Sequence, residues 1–174
     1  VQGTLNVIRC CRDFGVKKMV FTSSDKAVNP SNAMGASKLM GEKAVLSEAS
    51  MSTDTDFSII RFGNVIGSSG SVLPIFEKQI SEQKPITLTD TRMTRFMVTM
   101  PEVMRLCVNS LNQKNGALMI REMPSVKIEV LAKAMLSFFD RKTPIEVVGA
   151  RPGEKLYEEI LTEVEANNAF VKDG

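Results

Sequence analysis

Two short apolar runs set the terms on which this chain folds. KMVFTSS over Lys18–Ser24 and FSIIRF over Phe57–Phe62 are rich in Val, Ile and Phe and bounded by polar residues, the pattern of strands buried on both faces. A helix-period segment precedes each. In residues 1–14, Leu5, Val7, Ile8 and Cys11 fall near one face, and Gly15 is placed to end the helix. After a polar loop containing Pro30, Ser31 or Asn32 is positioned to cap a helix running to about Glu48. Helix, strand, helix, strand is the rhythm of a parallel sheet with crossover helices, so the class is α/β.

A glycine-rich loop from Gly63 to Gly70 follows the second strand, and beyond Val72 the pattern loosens. It predicts a helix over Leu73–Ser81, extended pieces at Ile86–Leu88 and Arg95–Val98, and a helix opened by Pro101 and running to about Leu111. Ala117–Ile120 reads as a strand, Val126–Phe139 as a helix, Ile145–Val148 as a strand, and Lys155–Asn168 as mostly helical. Nothing matches the Gly-x-Gly-x-x-Gly turn that opens a complete doubly wound, dinucleotide-binding sheet. If Lys18–Ser24 is the fourth strand of such a sheet, three βα units of roughly 30 residues each precede Val1. The expectation is the C-terminal portion of a longer protein.

Composition excludes several functions. A net charge of +2 over 174 residues gives no basic field for nucleic acid. The chain has no histidine, which removes Ser-His-Asp and Cys-His catalysis and the usual zinc ligand sets. Cys10, Cys11 and Cys107 lack Cys-x-x-Cys spacing and read as free buried thiols of a reducing compartment. No apolar run approaches the length of a membrane span. The expected location is the cytoplasm, with a membrane tether upstream of Val1 left open.

Hydroxyls at Ser23 and Ser24 close the first strand, and ligands of open α/β sheets bind beyond such carboxyl ends. Met34 and Lys38 stand one helical turn apart on the following segment. From these residues alone, a solvated Lys38 and a core Met34 read as well as a functional pair.

A longer pattern bears on that choice. SDKAVNP from Ser24, NAMGASK from Asn32, RFGNVIGSSGSVLP from Arg61, TRMTRF from Thr91 and RPGEKL from Arg151 occur in this order. Together they resemble the inverting UDP-N-acetylglucosamine 4,6-dehydratases of capsule and flagellin-sugar biosynthesis, within the extended short-chain dehydrogenase/reductases. The resemblance implies a Rossmann fold, with residues 1–70 as the C-terminal half of the cofactor domain. Residues 71–174 would mainly bind the nucleotide sugar, with 94–121 returning to the sheet. It also implies NADP, with NAD not excluded, as cofactor, a UDP-sugar as substrate, a homo-oligomer, and an N-terminal segment of the same protein as partner.

By that resemblance Ser24, Asp25 and Lys26 match the family's Thr-Asp-Lys triplet. Asp25 is expected as the acid toward the C6 hydroxyl, Lys26 as the base at C5, and Lys38 as the holder of the nicotinamide ribose. Met34 replaces the tyrosine usual four residues before the lysine. A thioether has no proton to exchange, so removal of the O4 proton would fall to Ser24, with Met34 packing against cofactor or sugar. An Asp25–Lys26 ion pair would hold both groups in the charged state, the wrong one for acid and base. Competence is therefore expected only with cofactor and substrate bound. Val65 is expected beside the nicotinamide, and Asn64, Arg95, Arg151 and Glu154 on the UDP-sugar, the arginines toward diphosphate. Lys127 is a weaker candidate that equally opens a helix. An epimerase on the same sugar, or a nucleotide-binding protein without turnover, are the alternatives, and Met34 favours the latter.

Overall fold

The computed structural model describes residues 1–51 and 54–171, so the end of the expected 71–174 region lies outside them. In chain order the elements are α1 (Gln2–Asp13), β1 (Lys18–Ser24), a 3-10 turn (Asp25–Ala27), α2 (Ala33–Met51), β2 (Asp56–Phe62), β3 (Asn64–Val65) and α3 (Val72–Ser81). Then come β4 (Ile86–Leu88), β5 (Thr94–Val98), α4 (Met100–Ser110), β6 (Ala117–Ile120), β7 (Ser125–Lys127), α5 (Ile128–Phe138), β8 (Ile145–Val147) and α6 (Glu163–Asn167). The chain divides into two compact units. One comprises Val1–Phe62, Leu106–Arg121 and the residues from Glu159 onward; the other comprises Gly63–Arg105 and Glu122–Glu158.

The first unit is built on a parallel sheet of order β1-β2-β6. β1 pairs with β2 from Lys18↔Asp56 to Ser24↔Phe62, and β6 pairs with the other edge of β2 from Ser58↔Ala117 to Arg61↔Ile120. β2 is central and its residues Phe57–Arg61 are all buried, as its largely apolar run predicts. Ile8 and Cys11 of α1, Val45 of α2, and Phe57 and Ile59 of β2 form the core. Fully burying each of the larger apolar side chains contributes about 1.5–3 kcal/mol. α1 ends in a Schellman turn: Gly15 takes φ 65°, and the Val16 amide donates to the Cys11 carbonyl at 2.8 Å. Val7, expected on the buried face, is 50% exposed, and of the three cysteines expected to be buried only Cys11 is, Cys10 being exposed and Cys107 half-buried. Val7 lies about 100° around the helix from Ile8, and the Ile8–Cys11 face is the one that packs. Of the two candidate caps, Asn32 opens α2, its Oδ1 accepting from the Gly35 amide at 2.9 Å.

The second unit holds shorter elements: parallel β3 and β5, β7 antiparallel on β5, and the parallel pair β4–β8. Phe76 and Ile80 of α3, Ile86, Leu88, Met93, Met97, and Ile128 and Ala132 of α5 form its core. Three expectations are corrected here. Asn64 and Val65 form a two-residue strand instead of a loop. Val126 lies in β7 opposite Arg95 and not in a helix, which starts only at Ile128, where the amide donates to the Met93 carbonyl. Residues 155–162 are not helical, because the Leu156 carbonyl accepts from the Thr94 amide at 2.9 Å and so serves β5. Helix resumes only where Thr162 and Glu165 form a capping box.

Candidate active site

In the first unit the site grows from the carboxyl end of β1. Ser24, extended at φ −148° and ψ 156°, caps the 3-10 turn by accepting from the Lys26 amide at 3.3 Å. That turn brings the next two side chains back against it. The Ser24 hydroxyl donates to Asp25 Oδ1 at 2.7 Å, and Lys26 Nζ donates to the same oxygen at 3.0 Å. The Asp25 side chain is fully buried, whereas that of Lys26 is 25% exposed. Asp25 Oδ2 is buried and makes no hydrogen bond, and neither does the buried Ser23 Oγ. Unpartnered buried oxygens are costly, and here they sit on a strand end rich in hydroxyls. One carboxylate oxygen is thus shared by an alcohol and an ammonium, and the other is left open.

α2 crosses close behind this loop. Gly35 is buried, and a Cβ built there would run into the Lys26 carbonyl and crowd Pro30. Only a residue without a side chain allows the approach. Next to it Met34 is 49% exposed, so it is not a core methionine. One turn on, Lys38 Nζ donates to the Thr22 carbonyl of β1 at 3.0 Å and lies 5.4 Å from the centre of the Phe21 ring, within cation–π range. Lys38 is therefore held over the β1 end while remaining part-exposed. An ammonium has three donors, which leaves Lys38 capacity for ligand hydroxyls such as those of a ribose. No metal-binding cluster occurs among the described residues.

The second unit groups another set of the expected residues. Arg95 is buried in β5; its Nη1 donates to the carbonyls of Thr94 at 2.7 Å and Leu156 at 3.3 Å. Its Nη2 lies 3.6 Å from Glu154 Oε1, and Glu154 Oε2 accepts from the Arg151 amide at 3.3 Å. Arg95, Arg151 and Glu154 thus form one polar cluster, with the Arg151 side chain exposed. β3 places Asn64 opposite Met97, two residues from Arg95, and Val65 opposite Val98. Lys127 is exposed and directly precedes α5.

Sequence reasoning passed over Arg61. It lies within the buried β2 and is 1% exposed. Its five N–H groups meet five acceptors. Nε donates to Glu42 Oε1 at 3.1 Å, and Nη2 to Glu42 Oε2 at 2.7 Å and Glu165 Oε1 at 3.1 Å. Nη1 donates to Glu165 Oε2 at 3.0 Å and to the Ile160 carbonyl at 2.8 Å. Burial alone would lower the Arg61 proton affinity, but bonding to the two carboxylates outweighs it and pushes the guanidinium up. Burial would likewise raise the Glu165 carboxyl; the hydrogen bonds from Arg61 and the Thr162 amide prevail and bring it down to about 2. A charged residue inside an apolar strand run was the available signal, because a buried charge requires a partner.

Residues 1–173 match the model of a family described as polysaccharide biosynthesis protein. A UDP-glucose 4-epimerase of Rickettsia rickettsii is 39% identical over 172 residues, covering 97% of this chain and 50% of that protein. The X-ray structure of Pen from Bacillus thuringiensis superposes with a TM-score of 0.95 at 41% identity, covering 99% of this chain and 56% of that one. At 18% identity, a likeness of fold alone, the dTDP-glucose 4,6-dehydratase DesIV of Streptomyces venezuelae, solved with NAD and TYD bound, gives a TM-score of 0.82 over 96% of this chain and 58% of that one. The chain thus spans about half the length of these relatives. The fold is α/β with a Rossmann-like parallel sheet, and the chain belongs to the polysaccharide biosynthesis protein family.

Proposed function

We propose that this chain is the C-terminal part of a nucleotide-sugar-modifying enzyme that dehydrates UDP-N-acetylglucosamine to a 4-keto-6-deoxy sugar with inversion at C5. The observation that carries the reading is the buried Asp25 carboxylate, shared by Ser24 and Lys26 at the β1 end with one oxygen open. A bound nicotinamide, NADP with NAD not excluded, would supply the hydride sink that makes C4 a ketone and later returns the hydride to C6. Lys38 would hold its ribose, with Met34 alongside. The residues of the chain then manage protons. Ser24 relays the O4 proton toward water. Lys26 removes the C5 proton, which the C4 ketone acidifies. Asp25 gives a proton to the C6 hydroxyl, and water leaves; once C6 has regained the hydride, C5 takes a solvent-derived proton from the face opposite Lys26, which sets the inversion. Arg95, Arg151, Glu154 and Asn64 would orient the UDP-sugar, with the arginine forks suited to diphosphate.

At rest Lys26 Nζ and Asp25 Oδ1 stand 3.0 Å apart as an ion pair. Enclosure by a sugar disfavours both charges, so a proton passes from amine to carboxyl and both groups reach the state their roles require. This couples competence to substrate.

Epimerisation of the same sugar is the second reading, favoured by the 39% identity to a UDP-glucose 4-epimerase. Met34, with no exchangeable proton where short-chain reductases usually carry tyrosine, counts against it. The test is incubation of the full-length protein with UDP-N-acetylglucosamine and NADP. Dehydration gives a 4-keto product lighter by one water. A product of unchanged mass would establish epimerisation, and nucleotide binding without any product would establish a binding protein.

A further inference from the structure

α2 carries Met34, Lys38 and Glu42 at steps of four, close to one stripe of the helix. The stripe is exposed at Met34 and buried at Glu42. Whatever fixes Glu42 therefore fixes where Lys38 stands, one turn away. Glu42 is held by the bidentate fork of Arg61, and a fork constrains the angle as well as the distance of its partner. The opposite side of the same guanidinium is closed by Glu165 of α6, itself locked by its capping box with Thr162.

Such a triad is a poor device for stability. Two carboxylates and one guanidinium leave a formal surplus of one negative charge, and apolar residues of similar volume often serve a buried core as well or better. What apolar packing lacks is direction, and five directed hydrogen bonds admit one arrangement of β2, α2 and α6. We propose that Arg61, Glu42 and Glu165 form a positioning clamp that sets the rotation and depth of α2, and so the place of the Lys38 ammonium over the end of β1. The clamp touches neither sugar nor cofactor; it acts through Lys38. The proposal rests on the reading of Lys38 as the cofactor-ribose group.

The test is a double-mutant cycle in the full-length protein. NADP affinity is measured for Arg61→Lys in the native background and in Lys38→Ala, with amide hydrogen exchange on the same samples. Arg61→Lys keeps the charge and loses the fork. The clamp predicts that it weakens NADP about tenfold or more when Lys38 is present and has little effect in Lys38→Ala. Exchange should rise over residues 33–42 while β1 and β2 stay protected. Equal losses in both backgrounds would mark a merely structural role, and unchanged exchange over 33–42 would show that Arg61 does not orient α2; either overturns the clamp. If Lys38→Ala alone leaves NADP binding intact, the ribose role fails, and the exchange result still decides whether the triad orients the helix. Should Arg61→Lys not fold, Glu42→Gln, which keeps the side chain's length but leaves the fork only one acceptor oxygen, takes its place with the same outcomes.

Discussion

Gly35 and Met34 are neighbours on α2 with opposite tolerances. A methyl at Gly35 meets the carbonyl of Lys26, which is backbone and can yield only by moving the loop. Gly35→Ala is expected to cost about 1–3 kcal/mol in urea denaturation and to lower dehydration more than its stability loss explains, because Lys26 moves with its carbonyl. Met34 is half exposed and has no proton to give. Met34→Leu should leave the melting curve nearly unchanged and the turnover of the full-length protein within a few fold. A hundredfold loss would assign the thioether a direct role. At this scale the Ser23 and Ser24 hydroxyls were legible as the close of an apolar run, whereas Asp25 and Lys26 came only through the motif resemblance. The closeness of Gly35 to Lys26 was not legible, since only the path of α2 creates it.

Elements were legible wherever local pattern and tertiary demand agreed. β1 and β2 announced themselves as apolar runs, and α2 by its capping residue. β7 was hidden because Val126 fits a helical period as well as it fits the strand opposite Arg95. Residues 155–162 have helix-forming composition, yet the Leu156 carbonyl is claimed by the Thr94 amide. Helix α6 was overextended for that reason, and its true anchor is Glu165 on Arg61. This anchor has a pH signature. Glu165 is held at about 2 in the folded chain, below its ordinary value of 4.5. A carboxyl lowered on folding stabilises the fold above its unfolded value, and that contribution fades as pH falls from about 4.5 toward 2. Denaturant titrations across this window should show stability falling with pH, and Glu165→Gln should flatten the slope. A slope unchanged by the substitution would mean that Arg61 does not hold the Glu165 carboxylate.

For the whole molecule, each unit supplies part of the expected chemistry. The first carries Ser24, Asp25, Lys26 and Lys38, and the second clusters Arg95, Arg151 and Glu154. The order of motifs along the chain made both sets legible, whereas the unit boundaries were not. The strand Ala117–Ile120, far along the chain, lies beside β2, while Thr94–Val98 belongs to the second unit. The proposed reaction is a property of the longer protein, and its proton chemistry is open to direct measurement there. The full-length protein and its Lys26→Met variant are each incubated with UDP-N-acetylglucosamine and NADP in deuterated water, and the product is read by mass and NMR. The account predicts a 4-keto-6-deoxy sugar carrying solvent deuterium at C5 from the native protein, and none from Lys26→Met. A Lys26→Met variant that dehydrates at the native rate, or a native product that keeps its C6 hydroxyl, would contradict it.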